Sequence, residues 1–452
     1  MLTGCADIFT FSEHSLEQDV EQTEHNITVN SSARLDYEVP QSIPKILVNQ
    51  VGYKPGSDKI AIFRGENLPS VFYVINVETG ECIYTGRIEE SEYNAELEEY
   101  NSYGTFTEVT KDGKYYIMAD VIGMSYPFEI REDIYETILY DAFRGYADYV
   151  EKPETYIMCE EATILLLSYE LYASAYTDDM NIPESGNGIP DILDVVKKST
   201  ERLSFRQNDA TGGVSAGSDM AEENAEASLY FAAVMTKFYH TYKIYDAGYA
   251  DTCLRLARKA FDYAQTSFDR LDGGLVYFAA TELYRATGAA KYATVLNAYS
   301  MLENREETTG VSGYFYGDVT YLSTTYPVDT KVCELVMNAL RDRVEKIAGD
   351  SKDEEYLTCG NKEQDNNEEL LADMMELSVV NYIIANHEYD TVLQNHLHYF
   401  LGRNTKCITY IADAGYTNCA AEDALTSNPV YNAQLIAMLN AISQCEQIVW
   451  EY

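Results

Sequence analysis

Carboxylates are the groups this chain supplies most generously for chemistry. Of 452 residues, 74 are Asp or Glu against 32 Lys or Arg, a formal net charge of −42. The most distinctive run of them is Asn181-Ile-Pro-Glu-Ser-Gly-Asn-Gly-Ile-Pro-Asp191, continuing to Asp194. It is a polar loop with two glycines, and Pro190 sits where a helix begins, a position at which its missing N–H costs nothing. Asp191 and Asp194 then set negative charge against the positive end of the helix dipole. Taken alone, this is a loop-to-helix junction. The nine cysteines (5, 82, 159, 253, 333, 359, 407, 419 and 445) form no C-x-x-C pair, which argues against zinc and iron–sulfur sites. Cys253, Cys333 and Cys445 fall in apolar helical contexts, where a small buried thiol is at home. His396 and His398 alternate on a helix with Tyr399 and Leu401, and they read as partly buried or surface residues rather than ligands. No glycine-rich phosphate cradle and no Ser-His-Asp arrangement is visible.

The charge also excludes partners. So acidic a surface repels phosphate backbones and anionic lipid, so nucleic acid is ruled out, while neutral polymers such as glucans remain. Forty tyrosines stand against one tryptophan, Trp450. Tyrosine stacks on sugar rings but also packs helices together, and most of the forty must be structural.

The elements that would position any site fall into three stretches. Residues 1–42 form an acidic, aperiodic tether. Within it Leu2-Thr-Gly-Cys5 resembles a bacterial lipobox with Cys5 as the lipid anchor, although only Met1 stands where a leader should. Residues 43–132 hold short β-branched and aromatic runs: 46–53, 59–63, 71–76, 82–84, 114–118 and 128–130. These predict a small antiparallel sandwich, with Asp112-Gly113 as a hairpin turn. Residues 133–452 are helical throughout, with about eleven amphipathic segments and no strands between them. Such a series packs helix on helix, and periodicity leaves bundle, solenoid and (α/α)6 barrel equally open. No stretch reaches the ~18 apolar residues of a membrane span.

A resemblance decides among these. The Asn181–Asp191 loop is very similar to one carried by family 9 glycoside hydrolases, the inverting cellulases. The N-Q-V-G-Y phrase at Asn49–Tyr53 resembles the opening of the immunoglobulin-like module that precedes many of their barrels. Ala225–Ala233, Tyr249–Ala257, Ala279–Gly288 and Leu397–Asn404 resemble their barrel helices in the right order. The resemblance implies an immunoglobulin-like β-sandwich at 43–132 and an all-α (α/α)6 barrel at 133–452. It also implies a role in β-1,4-glucan breakdown. Structural calcium occurs in some members, but no site for it is placed here, and no other cofactor is implied.

Inverting hydrolysis needs a carboxylate base for water and a carboxylic acid for the leaving oxygen, ~6.5–9.5 Å apart. In the family the base lies in a D-A-G-D loop just upstream of the second barrel helix. This chain passes from Asp141–Tyr146 to Ile164–Leu171 without one, and Asp148 is the lone aspartate in the link. The family's acid is the Glu of an N-E pair, whereas Asn428 is here followed by Pro429, with Glu422 and Asp423 a few residues away. The family's H-H-R substrate loop is also missing after Asn404. Asp148, Glu422 and Asp423 are therefore weak catalytic candidates, solvated carboxylates in a chain full of them.

Three functions compete. The first is a catalytically impaired relative that binds glucan at the bacterial surface, membrane-linked only through Cys5. The second is an active endo-β-glucanase with relocated carboxylates such as Glu422 or Asp423. The third is a module binding a basic partner through its acidic surface, salt-sensitive and indifferent to sugars.

Overall fold

The computed structural model describes residues 37–90, 92–95, 97–147, 154–217, 222–300, 311–359, 367–384, 386–411, 418 and 424–445. The chain forms two compact units. One comprises Met1–Ile138, Ser351–Asn366 and Gln394–Leu425, the other Leu139–Asp350, Asn367–Leu393 and Thr426–Tyr452. No helix among the described residues is long and apolar enough to cross a membrane.

The first unit is built on a β-sandwich. One sheet runs in the order β1 (Ile46–Leu47), β3 (Ile60–Arg64), β7 (Glu99–Thr105), β6 (Glu92–Asn94). The other runs β2 (Gly52–Tyr53), β10 (Phe128–Ile130), β8 (Gly113–Ala119), β4 (Val71–Asn76), β5 (Cys82–Arg87), with β9 (Gly123–Met124) on β8. Side chains alternate across each strand, so Phe72 and Val74 join Phe63, Ile117 and Phe128 in the core between the sheets. Tyr73 and Ile75 point the other way, to Tyr116 and Met118. Tyr37, inside the stretch read as tether, packs on Tyr116 with ring centroids 4.7 Å apart.

The N-Q-V-G-Y phrase serves this unit as a joint. Asn49 accepts the N–H groups of Val51 and Gly52 and donates to the Gly52 carbonyl at 2.6 Å. Gln50 donates its backbone N–H to the Leu401 carbonyl and its side chain to the Cys407 carbonyl. Asn49 Nδ2 lies 3.0 Å from His398 Nδ1. His396 and His398 are 0% and 1% exposed, so the expectation of partial burial or surface placement is corrected: both are core residues. Their helical spacing could not show this, because the face they occupy is covered by strands and loops remote in sequence.

The helices are α1 (Glu136–Ala147), α2 (Thr155–Tyr172), α3 (Asp191–Ser204), α4 (Ala225–Tyr242), α5 (Ala247–Ala264) and α6 (Gly273–Thr287). The rest are α7 (Ala290–Tyr299), α8 (Gly313–Ser323), α9 (Thr330–Asp353), α10 (Asn367–Ile384), α11 (His387–Phe400) and α12 (Pro429–Cys445). In the second unit the even-numbered helices make an inner ring: α12, α2, α4, α6 and α8 are successive neighbours, and α10 packs on α12. Inner α6 is buried all round from Gly274 to Arg285, whereas outer α5 buries a stripe through Ala250, Cys253, Leu254, Leu256, Ala257, Ala260, Phe261 and Ala264.

Contacts at both ends show the inner helices running parallel. At their C-terminal ends, Glu170 of α2 pairs with Lys237 of α4 (2.7 Å) and Arg285 of α6 (2.9 Å). Glu282 of α6 also meets both cations and accepts from Thr320 of α8 at 2.8 Å. Tyr172 of α2 donates to the Ser378 carbonyl of α10 at 2.7 Å. Burial, then Arg285, holds the nearby His240 imidazole down at about 4. The closest approach is between α6 and α8, where a Cβ on Gly313 would stand 2.4 Å from the Gly274 carbonyl carbon.

Twelve helices are present among the described residues, one more than periodicity suggests. The added one is α8, whose sequence Gly-Tyr-Phe-Tyr-Gly-Asp-Val-Thr-Tyr-Leu-Ser carries two glycines and strand-favouring residues. Its burial against α6 outweighs that local preference. β7 was also not legible, because Glu99, Asn101, Ser102 and Gly104 interrupt its strand-favouring tyrosines and threonine. Asp112-Gly113 is not a hairpin turn, because β7 and β8 belong to different sheets and the link crosses between them. Local caps start the helices: Asp246, Asp272 and Asn224 accept from the N–H groups of Tyr249, Leu275 and Ala227. Asn224 also receives the Tyr156 hydroxyl at 3.0 Å. Asn224→Ala is expected to lower stability by about 1 kcal/mol, read as a lower urea midpoint at unchanged slope.

Candidate functional site

The carboxylates of the Asn181–Asp191 loop are spent on holding the loop together. Asp178 accepts the backbone N–H groups of Gly186 (2.7 Å) and Gly188 (2.6 Å). The bond from Gly188 leads in holding its carboxyl below the ordinary range. Asp191 accepts from Met180 N–H (2.6 Å) and the Ser185 hydroxyl (2.7 Å), and Asn187 donates to Asp194 at 2.8 Å. Among the described residues no group of three or more His, Cys, Asp or Glu could hold a metal ion.

The N-terminal ends of the inner helices present a different set. Glu160 of α2, Tyr230 of α4, Phe278 of α6, Tyr316 of α8, Glu368 of α10 and Tyr431 of α12 all lie within the first two turns of their helices. At about 1.5 Å per residue, that places them at one level of the ring. Phe278 bridges two of the tyrosines, its ring centroid 6.5 Å from Tyr230 and 5.4 Å from Tyr316. Burial, then the Glu368 charge, pushes the half-buried Glu160 carboxyl up. The Tyr230 and Tyr316 phenols are driven well above their usual range, first by burial and with Glu160 contributing. Burial, Glu368 and Glu160 raise Tyr431 in the same way. Glu368 itself is exposed.

Asp148, Glu422, Asp423 and Cys5 lie outside the described residues. Pro429 is the first residue of α12, and Asn428 caps that helix by accepting from the N–H groups of Val430 (3.0 Å) and Tyr431 (3.3 Å). Between the end of α1 at Ala147 and the start of α2 at Thr155 stand only residues 148–154.

A model described as "Glycosyl hydrolase family 9" matches residues 199–423, and one described as "Cellulase N-terminal ig-like domain" matches residues 41–124. The chain belongs to glycosyl hydrolase family 9. A cellodextrinase of Butyrivibrio fibrisolvens is 24% identical over 471 residues, covering 82% of this chain and 85% of the relative. Endoglucanase D of Acetivibrio thermocellus is 22% identical over 290 residues, which is 49% of this chain and 46% of that longer protein. Two solved structures share the fold. A metagenome-derived family 9 endoglucanase has a TM-score of 0.77 and 19% identity over 88% of this chain and 98% of its own. A thermostable endoglucanase from Alicyclobacillus acidocaldarius has a TM-score of 0.70 and 17% identity, covering 89% and 100%.

As a family 9 chain it therefore carries an immunoglobulin-like sandwich followed by an (α/α)6 barrel. Its inner-ring mouth adds residues that sequence reasoning did not single out: Glu160, Tyr230, Tyr316, Glu368 and Tyr431. Their shared signal is position, each a few residues after a helix start. It becomes informative only once the six helices are known to be parallel and level.

Proposed function

We propose that this is a cellulase-like protein of β-1,4-glucan metabolism, held at the bacterial surface through Cys5, in which hydrolysis by the family's own carboxylate pair is lost. The observation that carries this is Pro429 as the opening residue of α12, where the resemblance calls for an acid. A proline has no proton to give. The seven residues 148–154 add to it, being too few for the base loop. Family membership and the cellulase relatives support a glucan as the ligand. Tyrosines at the mouth offer aromatic faces of the kind sugar rings stack on.

The test is reducing-end release from soluble β-glucans, with binding of cello-oligosaccharides measured alongside. Saturable binding is expected, with turnover at least about 100-fold below an active family 9 control, since a positioned acid or base contributes about 10²–10⁴-fold. Turnover at the control's rate would overturn the reading. Glu422→Gln and Asp423→Asn should change neither quantity; a loss of turnover there would instead mark a relocated acid. Salt-sensitive capture of a basic protein without any sugar binding would favour an interaction module.

A further inference from the structure

We propose that the cavity between α6, α7, α8 and the start of α9 is a second binding site, suited to a neutral sugar of one or two rings. It stands apart from the barrel mouth and does not depend on how the mouth is read.

The cavity has a volume of about 390 Å³, at the small end of the roughly 300–1,000 Å³ of small-molecule sites. Its buried lining comes from Tyr284 in the last turn of α6 and Tyr321 in the last turn of α8, with Leu296 of α7 and Val332 of α9. None of the mouth residues contributes, since those stand in the opening turns of their helices. The loop leading into α9 completes the lining and is pinned at several points. Tyr284 donates its hydroxyl to the Pro327 carbonyl at 2.7 Å, and the Tyr326 ring packs on Tyr284 with centroids 5.8 Å apart. Asp329 donates its backbone N–H to the Tyr321 hydroxyl at 3.0 Å. The walls are therefore formed in advance of any ligand.

The hydrogen-bonding capacity left over selects the occupant. Tyr321 is 1% exposed and its hydroxyl only accepts, so its own proton has no acceptor among the described residues. The buried Tyr284 hydroxyl is the converse: its proton goes to Pro327, and its lone pairs receive nothing among the described residues. A buried donor or acceptor left unmet is unfavourable, and ligand hydroxyls can accept from the one and donate to the other. At the rim, Asp329 spends one carboxylate oxygen on the Lys331 N–H at 2.9 Å and keeps the other open. The exposed Asn297 adds an amide that both donates and accepts.

Charge narrows the choice. Among the described residues no Lys, Arg or His lines the cavity, whereas Asp329 does, so a phosphate or carboxylate ligand meets repulsion without a counter-charge. An ammonium ligand would suit Asp329 but brings donors alone, leaving the Tyr321 proton unmet. A sugar ring carries hydroxyls that act in both senses, and C–H faces for Leu296, Val332 and the tyrosine rings.

Titration calorimetry on the full-length protein tests this with glucose, cellobiose, glucose 6-phosphate and choline. Saturable binding of glucose or cellobiose is expected, and none of the other two. Ala293 of α7 lines the cavity, so Ala293→Leu should fill it and weaken binding more than 10-fold. Tyr321→Phe removes one donor and should weaken it about 3–10-fold. Sugar bound at the mouth would persist in these variants, so the phase that they lose belongs to the cavity. Melting curves establish that each variant folds, and should Ala293→Leu melt early, the exposed Asn297→Ala carries the test with a loss like that of Tyr321→Phe. Binding of glucose 6-phosphate or choline in place of the neutral sugars would overturn the assignment. Neutral-sugar binding unchanged in all three variants would overturn this site and leave the proposed function standing. No binding of either sugar would overturn this site as well, while longer cello-oligosaccharides still test the mouth separately.

Discussion

Glu282→Ala is expected to destabilise the protein by about 3–5 kcal/mol, a large part of the 5–15 kcal/mol that holds a typical domain folded. Glu282 is 0% exposed. It accepts from Arg285 at 2.7 Å and from Thr320 at 2.8 Å, and lies 3.4 Å from Lys237. The two cations are themselves only 3% and 2% exposed at the side chain. Removing the buried Glu282 carboxylate leaves two buried positive charges with the part-exposed Glu170 as their one anion among the described residues. Uncompensated buried charge makes such a deletion costly, whatever the intact network contributes in net terms. A urea titration reads the loss as a lowered midpoint at unchanged slope, and a shift under 1 kcal/mol would mean that water reaches the cluster.

The same network sets an acid limit. Burial alone would raise the Glu170 carboxyl, but Arg285 and Lys237 outweigh it and hold it at about 2. An unfolded glutamate titrates near ~4.3. Because the folded value is the lower one, the stabilisation is fully present above ~4.3. It is lost as pH falls from there toward about 2. Stability measured against pH should therefore decline across that window, and less steeply in a Glu170→Gln variant.

Gly52→Ala is expected to cost about 2–5 kcal/mol, combining backbone strain with overpacking. Gly52 holds φ at +144°, a region that L side chains rarely adopt. An added Cβ would stand 2.0 Å from the Glu129 carbonyl oxygen, a backbone atom fixed by the parallel pairing of β2 with β10. The carbonyl cannot swing aside without opening that pairing and the Asn49 bonds beside it. Gly56→Ala is the control, since its Cβ would meet nothing within 4 Å. A thermal melt should separate the two substitutions clearly, and equal effects would show that the joint yields.

Both predictions concern features whose reach in sequence differs. The N-Q-V-G-Y phrase could be picked out as a motif, and its glycine could be suspected of an unusual backbone. What it lies against, the Glu129 backbone on one side and the loop at Leu401 and Cys407 on the other, could not. The charge cluster is less legible still. Glu170, Lys237, Glu282 and Arg285 lie on three helices over more than a hundred residues, in a chain where charged side chains are commonplace. Nothing local distinguishes them from solvated ones.

The sequence by itself determined the order of the two folds, the periods of most strands and helices, and the resemblance to the family. Each of these is carried by residues near one another in the chain. Period and capping act over a few residues, and a motif such as N-Q-V-G-Y is read from one short stretch. Tertiary structure alone decided that His396 and His398 are core, that Gly313–Ser323 is a helix, and that Glu160 and Glu368 share the mouth with three tyrosines. The last of these follows from the level at which parallel helices pack. That level is fixed by close approaches such as Gly274 against Gly313 and by the lengths of the links between helices, so it belongs to the assembled ring rather than to any one segment.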